Sequence, residues 1–375
     1  MMMYIKKIIV GWILLVCGWQ VVVADEGMWI INELSNSTLE RMKELGFTPK
    51  YPFIYNKDKP CLANAVVIFG GGCTGITVSE EGLIFTNHHC GYGSIQKLSS
   101  MEHNYLENGF VAKNKDEELP VEGLNVYYLK ETVDVTDSIM PYLNDIEDEK
   151  TRMATADSIG KGLCEALGKN SLIKAEVIPF YNRNKYYLVV YQIFKDVRLV
   201  FTPPSSMGKF GGETDNWMWP RHTCDFSVFR VYANKLNMPA EFSTYNVPYK
   251  PAFVAEISLQ GYQENDFAMT IGFPGRTDRY LTSWGVQQRI KSLNAPRIEV
   301  RGIKQEIWGK AMKADDAVRL KYAAKYASSS NYWKNSIGMN RGLARLNVIE
   351  RKKTEEAAFE QWAQTDNNKS MYGET

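Results

Sequence analysis

The sequence predicts a mainly β domain, a barrel or sandwich of short strands, that leads into a helical segment. Three observations carry this. Between residues 62 and 271, short apolar runs recur between Gly, Pro, Asn and Asp punctuation, the pattern of a many-stranded β domain. After about residue 280 the chain changes to Ala, Lys, Gln, Glu and Arg at helical spacing, with hardly any strand-like alternation. At 375 residues the chain is also too long for one small core, so two or three folding units are expected. The expected division is a signal segment over residues 1–24, the β domain over 25–280 and a helical segment over 281–375.

Composition narrows the function classes. The chain is 45% hydrophobic and 23% charged, and its net charge is +1. That balance gives no electrostatic reason to expect a nucleic acid or an acidic polymer as partner. The 21 Tyr, 16 Phe and 9 Trp suit a β domain with a peptide- or sugar-binding surface, although aromatics at this density more often fill a core.

The start of the chain reads as an export signal. Lys6 and Lys7 supply the positive region, Ile8 to Val16 the apolar region, and Val22-Val23-Ala24 a small-residue cleavage site. Gly18 and Gln20 break the apolar run, so it is too short for a stable membrane span. Leu14-Leu15-Val16-Cys17 offers a lipoprotein signal as the alternative. Either way the expected location is secreted, periplasmic or cell-surface. Cleavage near Ala24 leaves Cys61, Cys73, Cys90, Cys164 and Cys224. Export makes disulfides the default, and Cys73 and Cys90 flank one hairpin, so they are the predicted pair. The pairing of the other three stays open.

In chain order, residues 28–46 carry apolar positions at helical spacing and stop at Gly46, which predicts an outer helix. Ala65 to Phe69 reads as a buried strand, and Gly70-Gly71-Gly72 as a turn. A further turn at Glu81-Gly82 precedes the strand Leu83 to Phe85. Residues 91–118 read as a polar surface excursion. Val121 to Leu129 is expected as a strand, and Asp145 to Leu167 as a helix with Ile146, Met153, Ile159, Leu163 and Leu167 inward. Three strands follow at Ile173–Tyr181, Tyr186–Phe194 and Val197–Phe201, the first two joined by the hairpin residues Asn182-Arg183-Asn184. Thr202 to Arg221 is a Pro-, Ser- and Gly-rich loop before a strand over 224–232. Phe253–Leu259 and Phe267–Ile271 complete the predicted strands.

The chemistry concentrates at Thr86-Asn87-His88-His89-Cys90-Gly91. Thr-x-x-His-Cys after a hydrophobic strand resembles the histidine loop of chymotrypsin-like serine peptidases, and by that resemblance His89 is the base. A general base needs a buried acid to fix its tautomer, and Asp225, beside Phe226 and Val228, is the candidate. Taken alone, Asp225 would read as a turn or cap residue. Side chains alternate along an extended strand, so His89, not His88, is expected to face Asp225. A metal site built from His88, His89, Cys90, His103 and His222 is the rival reading, but no His-x3-His or Cys-x2-Cys spacing supports it.

Two longer blocks sharpen this. Gly212-x-x-Asp215-Asn216-Trp217-Met218-Trp219-Pro220-Arg221-His222-x-Cys224-Asp225-Phe226-Ser227 resembles a block from bacterial dipeptidyl peptidases of the 7 and 11 type. Thr86 to Tyr92 and Asp25-Glu26-Gly27-Met28-Trp29 resemble the same family, and the likeness covers residues 25–375. The resemblance implies a chymotrypsin-like double barrel with an inserted helical cap, no cofactor, oligopeptide substrates and possible homodimers. It makes His89 the base, Asp225 its orienting acid, and Asn216, Trp217 and Asn331 the pocket for a substrate's free N-terminus. Taken singly, Asn331 could be an ordinary surface residue and Trp217 a core one. The family's nucleophile lies in a Gly-Asn-Ser-Gly-like motif beyond the helical insertion, and no Gly-x-Ser-Gly occurs in these residues. The expectation is therefore the N-terminal half of a secreted serine-type dipeptidyl peptidase. The alternative is a catalytically inactive fragment or a secreted peptide-binding module.

Overall fold

The computed structural model describes residues 28–373 apart from Lys169 and Arg221. The expected export signal, Asp25-Glu26-Gly27 and Arg221 lie outside the described residues.

One antiparallel sheet organises the chain. Its strands are β1 (Val66–Phe69), β2 (Cys73–Thr77), β3 (Leu83–Thr86), β4 (Phe110–Val111), β5 (Leu119–Pro120), β6 (Val126–Asp134), β7 (Ile173–Phe180), β8 (Lys185–Phe194), β9 (Asp196–Thr202), β10 (Ser227–Ala233) and β11 (Val247–Pro248). Their order is β4-β9-β10-β3-β2-β1-β6-β8-β7, with β11 on β10 and β5 on β9; the two end strands do not pair, so the sheet stays open where a closed barrel was expected. The core on one face joins Val67, Phe69, Ile84, Tyr128, Phe194, Leu199, Phe229 and Val231. Gly75 is needed there, because a Cβ would lie 2.7 Å from Ile84 Cγ2 and 3.1 Å from Val67 Cγ2.

The expected strands form over most of the chain. The β7–β8 hairpin forms where expected, but positive φ falls on Tyr181, Asn182 and Arg183, one residue earlier than the predicted turn Asn182-Arg183-Asn184. Two expected strands do not form: Phe253–Leu259 and Phe267–Ile271 run as irregular chain. They pass β2, where Ala255 N–H donates to Thr77 O at 2.9 Å and Phe273 N–H to Thr74 Oγ1 at 2.9 Å. Both edges of β2 are already taken, by β1 and by β3, so no ladder is open to them. Ala255 is buried and Phe253 and Phe267 pack on Phe53 and Phe47, whereas Ile257 and Leu259 stay outside, Leu259 at 94% exposure.

Other differences have local causes. The helix expected over 28–46 is split by Ser35, whose side chain accepts from Thr38 N–H and starts α1 (Asn36–Glu44). The excursion expected over 91–118 instead opens with α2 (His88–Leu98), whose Ile95 is fully buried. Gly123, at φ +75°, delays the strand expected at Val121 until Val126. α3 (Glu149–Glu165) begins at its Asp148 cap, and Ile159 and Leu163 pack inward with Ile146, whereas Met153 and Leu167 face solvent.

The helical segment consists of α4 (Ser283–Gln288), α5 (Ala295–Ala314), α6 (Asp316–Arg345) and α7 (Val348–Ala363). α6 lies on the β domain through Leu320 and Ala323, which join the sheet's core. Gln96 of α2 reaches into the backbone of α6. Its Nε2 donates to Leu320 O (2.7 Å) and Lys321 O (2.9 Å), and its Oε1 accepts Ala324 N–H (3.0 Å). Gln96→Leu keeps the bulk and removes all three bonds. It should lower stability by about 2 kcal/mol, roughly the net worth of three partly exposed hydrogen bonds, read as a lower urea midpoint at unchanged slope.

Candidate active site

The β3–β10 register builds the site. Thr86 stands opposite Ser227 and Phe85 opposite Val228. The residues that leave these two strands, Asn87 to His89 on one side and Asp225 and Phe226 on the other, therefore emerge at the same sheet end. The strand expected from Cys224 begins at Ser227, which leaves Asp225 on the loop, free to turn toward α2.

Asp225 serves the first turn of α2 from outside. Its Oδ1 accepts His89 N–H at 3.0 Å, one of the four amides that a helix start leaves without an intrahelical partner. Its Oδ2 lies 2.8 Å from His89 Nδ1 and accepts from Asn87 Nδ2 at 3.2 Å. Burial pushes the Asp225 carboxyl up, but the bonds from the His89 ring, the His89 amide and Asn87 outweigh it and hold the group below the ordinary carboxylate range. The imidazole of His89 is 70% exposed. With Nδ1 on Asp225, its Nε2 is the nitrogen left to exchange a proton with a reacting group.

His88 has a different task. It is 1% exposed, and its Nδ1 lies 3.1 Å from Ser227 Oγ and 3.2 Å from Thr202 Oγ1. It thus ties α2 to the ends of β9 and β10. Gly208 admits the ring, since a Cβ there would lie 2.9 Å from Cδ2 and 3.0 Å from Nε2. Burial, above all, depresses the His88 pKa to about 4. The expectation that His89 faces Asp225 holds, though its reasoning from strand alternation does not. Both histidines begin a helix, where neighbours diverge by about 100°.

Cys73 and Cys90 are bridged, with S–S 2.00 Å and Cα–Cα 6.1 Å, which fastens the first turn of α2 to β2. Cys61, Cys164 and Cys224 are free thiols. Among the described residues the one cluster with metal-ligand proximity is Cys73, His89 and Cys90, and the bridge consumes both thiols. His103 stacks on Tyr105 instead. No helix among the described residues is long and apolar enough to cross a membrane.

The loop between β9 and β10 carries Asn216 and Trp217 as well as Asp225, and α6 brings Asn331 to it. Asn331 Oδ1 accepts from Trp217 Nε1 at 2.7 Å and from Asn216 Nδ2 at 3.1 Å. Trp217 sits at φ +60° with a 57% exposed side chain. Its carbonyl packs on α6 so closely that a Cβ at Gly338 would lie 2.5 Å from it. Sequence reasoning brought these three residues together but missed Glu213, which accepts from Asn216 Nδ2 at 3.0 Å and pairs with Lys209 at 2.7 Å. The Lys209–Glu213 spacing of four residues was its one available signal.

The family profile of peptidase S46 matches residues 24–375, and the chain belongs to that family. It is 59% identical to dipeptidyl-peptidase 7 of Porphyromonas gingivalis over 376 residues, covering 100% of this chain and 52% of that protein. It is 43% identical to the Asp/Glu-specific dipeptidyl-peptidase of the same species over 341 residues, covering 89% and 47%. Among solved structures, Porphyromonas endodontalis DPP11 in complex with the dipeptide Arg-Asp matches with a TM-score of 0.85 at 42% identity, covering 91% of this chain and 50% of that one. The chain spans about half the length of the curated relatives it matches.

The buried His88 sets a pH test. Its folded pKa is depressed, so the unfolded chain binds a proton that the native chain refuses. Its effect on stability is absent above about pH 6.5 and grows unfavourable as pH falls toward 4, reaching about 3 kcal/mol. A His88→Gln variant lacks this titration. The advantage of wild type over the variant in melting temperature should therefore be constant above pH 7 and shrink steadily down to pH 4.

Proposed function

We propose that this chain supplies the base, its orienting acid and the N-terminus pocket of a secreted serine-type dipeptidyl peptidase. One observation carries the reading. A single loop holds Asp225 against His89 and, nine positions earlier, Asn216 against Asn331 of the helical segment. An exopeptidase that releases dipeptides must bind a free amine at a fixed distance from its reacting histidine, and a shared loop is a rigid way to set that distance. The solved DPP11 complexes with dipeptides, at 42% identity, support peptide substrates.

On this reading His89 Nε2 takes the proton of a serine as it attacks the scissile carbonyl, then returns it to the departing amine. Asp225 keeps the ring in the tautomer that bears hydrogen on Nδ1 and stabilises the imidazolium between the two steps. Asn216, Trp217 and Asn331 hold the substrate's amino end. No cofactor takes part. These residues contain no Gly-x-Ser-Gly, so the nucleophile and the oxyanion hole come from sequence outside them, in a second barrel of chymotrypsin type. The helices from Ser283 onward form the start of the cap, and homodimers suit the complete protein.

Three experiments test this. In the natural full-length protein, Asp225→Asn should lower the kcat of dipeptidyl-arylamide hydrolysis by roughly 10³- to 10⁴-fold with the fold intact. Substrates with an acetylated N-terminus should not be cleaved. An unimpaired Asp225→Asn enzyme would remove the His–Asp assignment. The 375-residue chain by itself should show no turnover above a His89→Ala control, while still binding free-amine dipeptides. Turnover above that control would place a nucleophile within these residues, with Ser205 and Ser206 the first to replace.

A further inference from the structure

The hydrogen bonds around Asn216 run in one direction only. Trp217 Nε1 is purely a donor, so the atom of Asn331 that meets it must be the carbonyl oxygen. That oxygen also takes one hydrogen of Asn216 Nδ2. The second hydrogen of Nδ2 goes to Glu213 Oε2 at 3.0 Å. Both hydrogens of the Asn216 amide are then committed. Its Oδ1 remains as an acceptor, and Asn331 Nδ2 remains as a donor.

Glu213 is built to hold this arrangement. Its side chain is 16% exposed and anchored from two further directions, by Lys209 Nζ at 2.7 Å and by a hydrogen bond with Ser330, itself 1% exposed on α6. Burial pushes the carboxyl up, but Lys209 and the bonds from Lys209, Asn216 and Ser330 bring it below the ordinary value. An ionised carboxylate only accepts, so the face of Asn216 turned to it must be the NH2 group. Lys334 Nζ adds a further tie between α6 and the loop, donating to Thr214 O at 3.2 Å.

We propose that Glu213 is a positioning residue that fixes the polarity of the pocket, aiming Asn216 Oδ1 as the acceptor for a substrate's N-terminal ammonium. The inference rests on the amine-binding reading above. The negative charge of Glu213 is matched by Lys209, and what reaches the ligand is the orientation of an amide. It also assigns Asn331 Nδ2, the donor left over, to a carbonyl of the same peptide.

The test compares two ligands, a dipeptide amide with a free amine and the same compound N-acetylated, by calorimetry on the natural full-length protein. Wild type should bind the free amine at least about tenfold tighter, the scale of one hydrogen bond to a charged group. Glu213→Gln presents an amide that can donate to Asn216 Oδ1 and turn its NH2 outward. The preference should collapse to within about twofold while affinity for the acetylated ligand is unchanged. Adding Asn216→Asp to that variant restores an acceptor whichever way the side chain lies, and should bring the preference back. A purely structural role for Glu213 would not be rescued in this way. Should Glu213→Gln fail to fold, Ser330→Ala serves, expected to weaken the preference in the same direction. A preference kept in Glu213→Gln, no rescue in the folded double variant, or an unchanged ratio in Ser330→Ala overturns the proposal for Glu213 alone. No preference in wild type overturns the amine-site reading and this inference with it.

Discussion

Thr86 opposite Ser227 is the constraint on which the rest of the site depends. A shift of one residue in that ladder would turn every side chain of β10 to the other face of the sheet. Ser227 would leave His88, and Asp225 would leave the start of α2. The register is secured from both faces. β10 is buried along its whole length, and Phe229 packs on Phe69 with ring centroids 4.8 Å apart. Gly91 lets α2 settle against the same ring, since a Cβ there would lie 3.0 Å from it. The Cys73–Cys90 bridge then holds the helix start from the β2 side.

Two adjacent histidines divide the work that this register makes possible. His88 is buried and neutral, and it joins α2 to two strand ends through one ring nitrogen. His89 is exposed and paired to a carboxylate, the environment a general base needs. The carboxylate is kept ionised by three donors that belong to the histidine segment itself. Ring orientation and carboxylate charge are therefore set by one group of bonds, and neither depends on a charged neighbour elsewhere.

The helical segment meets the β domain in two places of different kind. Gln96 binds the backbone of α6 around residues 320–324, where Leu320 and Ala323 enter the sheet's core. Asn331, Ser330 and Gly338, further along the same helix, meet the loop that bears Asp225. A helix is stiff over that distance, so the helix that carries the histidines and the loop that carries Asn216 and Trp217 are held through one rod.

The sequence by itself determined the parts that are local in chemistry. The Thr-x-x-His-Cys segment, the Asp-Asn-Trp block and the paired cysteines are short patterns whose residue types are dictated by what they do. Periodicity marked most strands and the helical segment, and the turn residues Asn182-Arg183-Asn184 marked the β7–β8 hairpin, because alternation, helical spacing and turn chemistry are properties of neighbouring residues. Tertiary structure decided what neighbours could not. Phe253–Leu259 and Phe267–Ile271 have the pattern of strands, yet β2 has no edge left for them, and edge availability belongs to the whole sheet. Residues 91–118 looked polar enough for a surface excursion, yet Ile95 found an interior to enter. Gln96 carried no motif, and Glu213 only its spacing of four from Lys209. Each acts on a segment more than a hundred residues away, through Ser330 and the backbone of Leu320, and only the folded chain brings those donors and acceptors within reach.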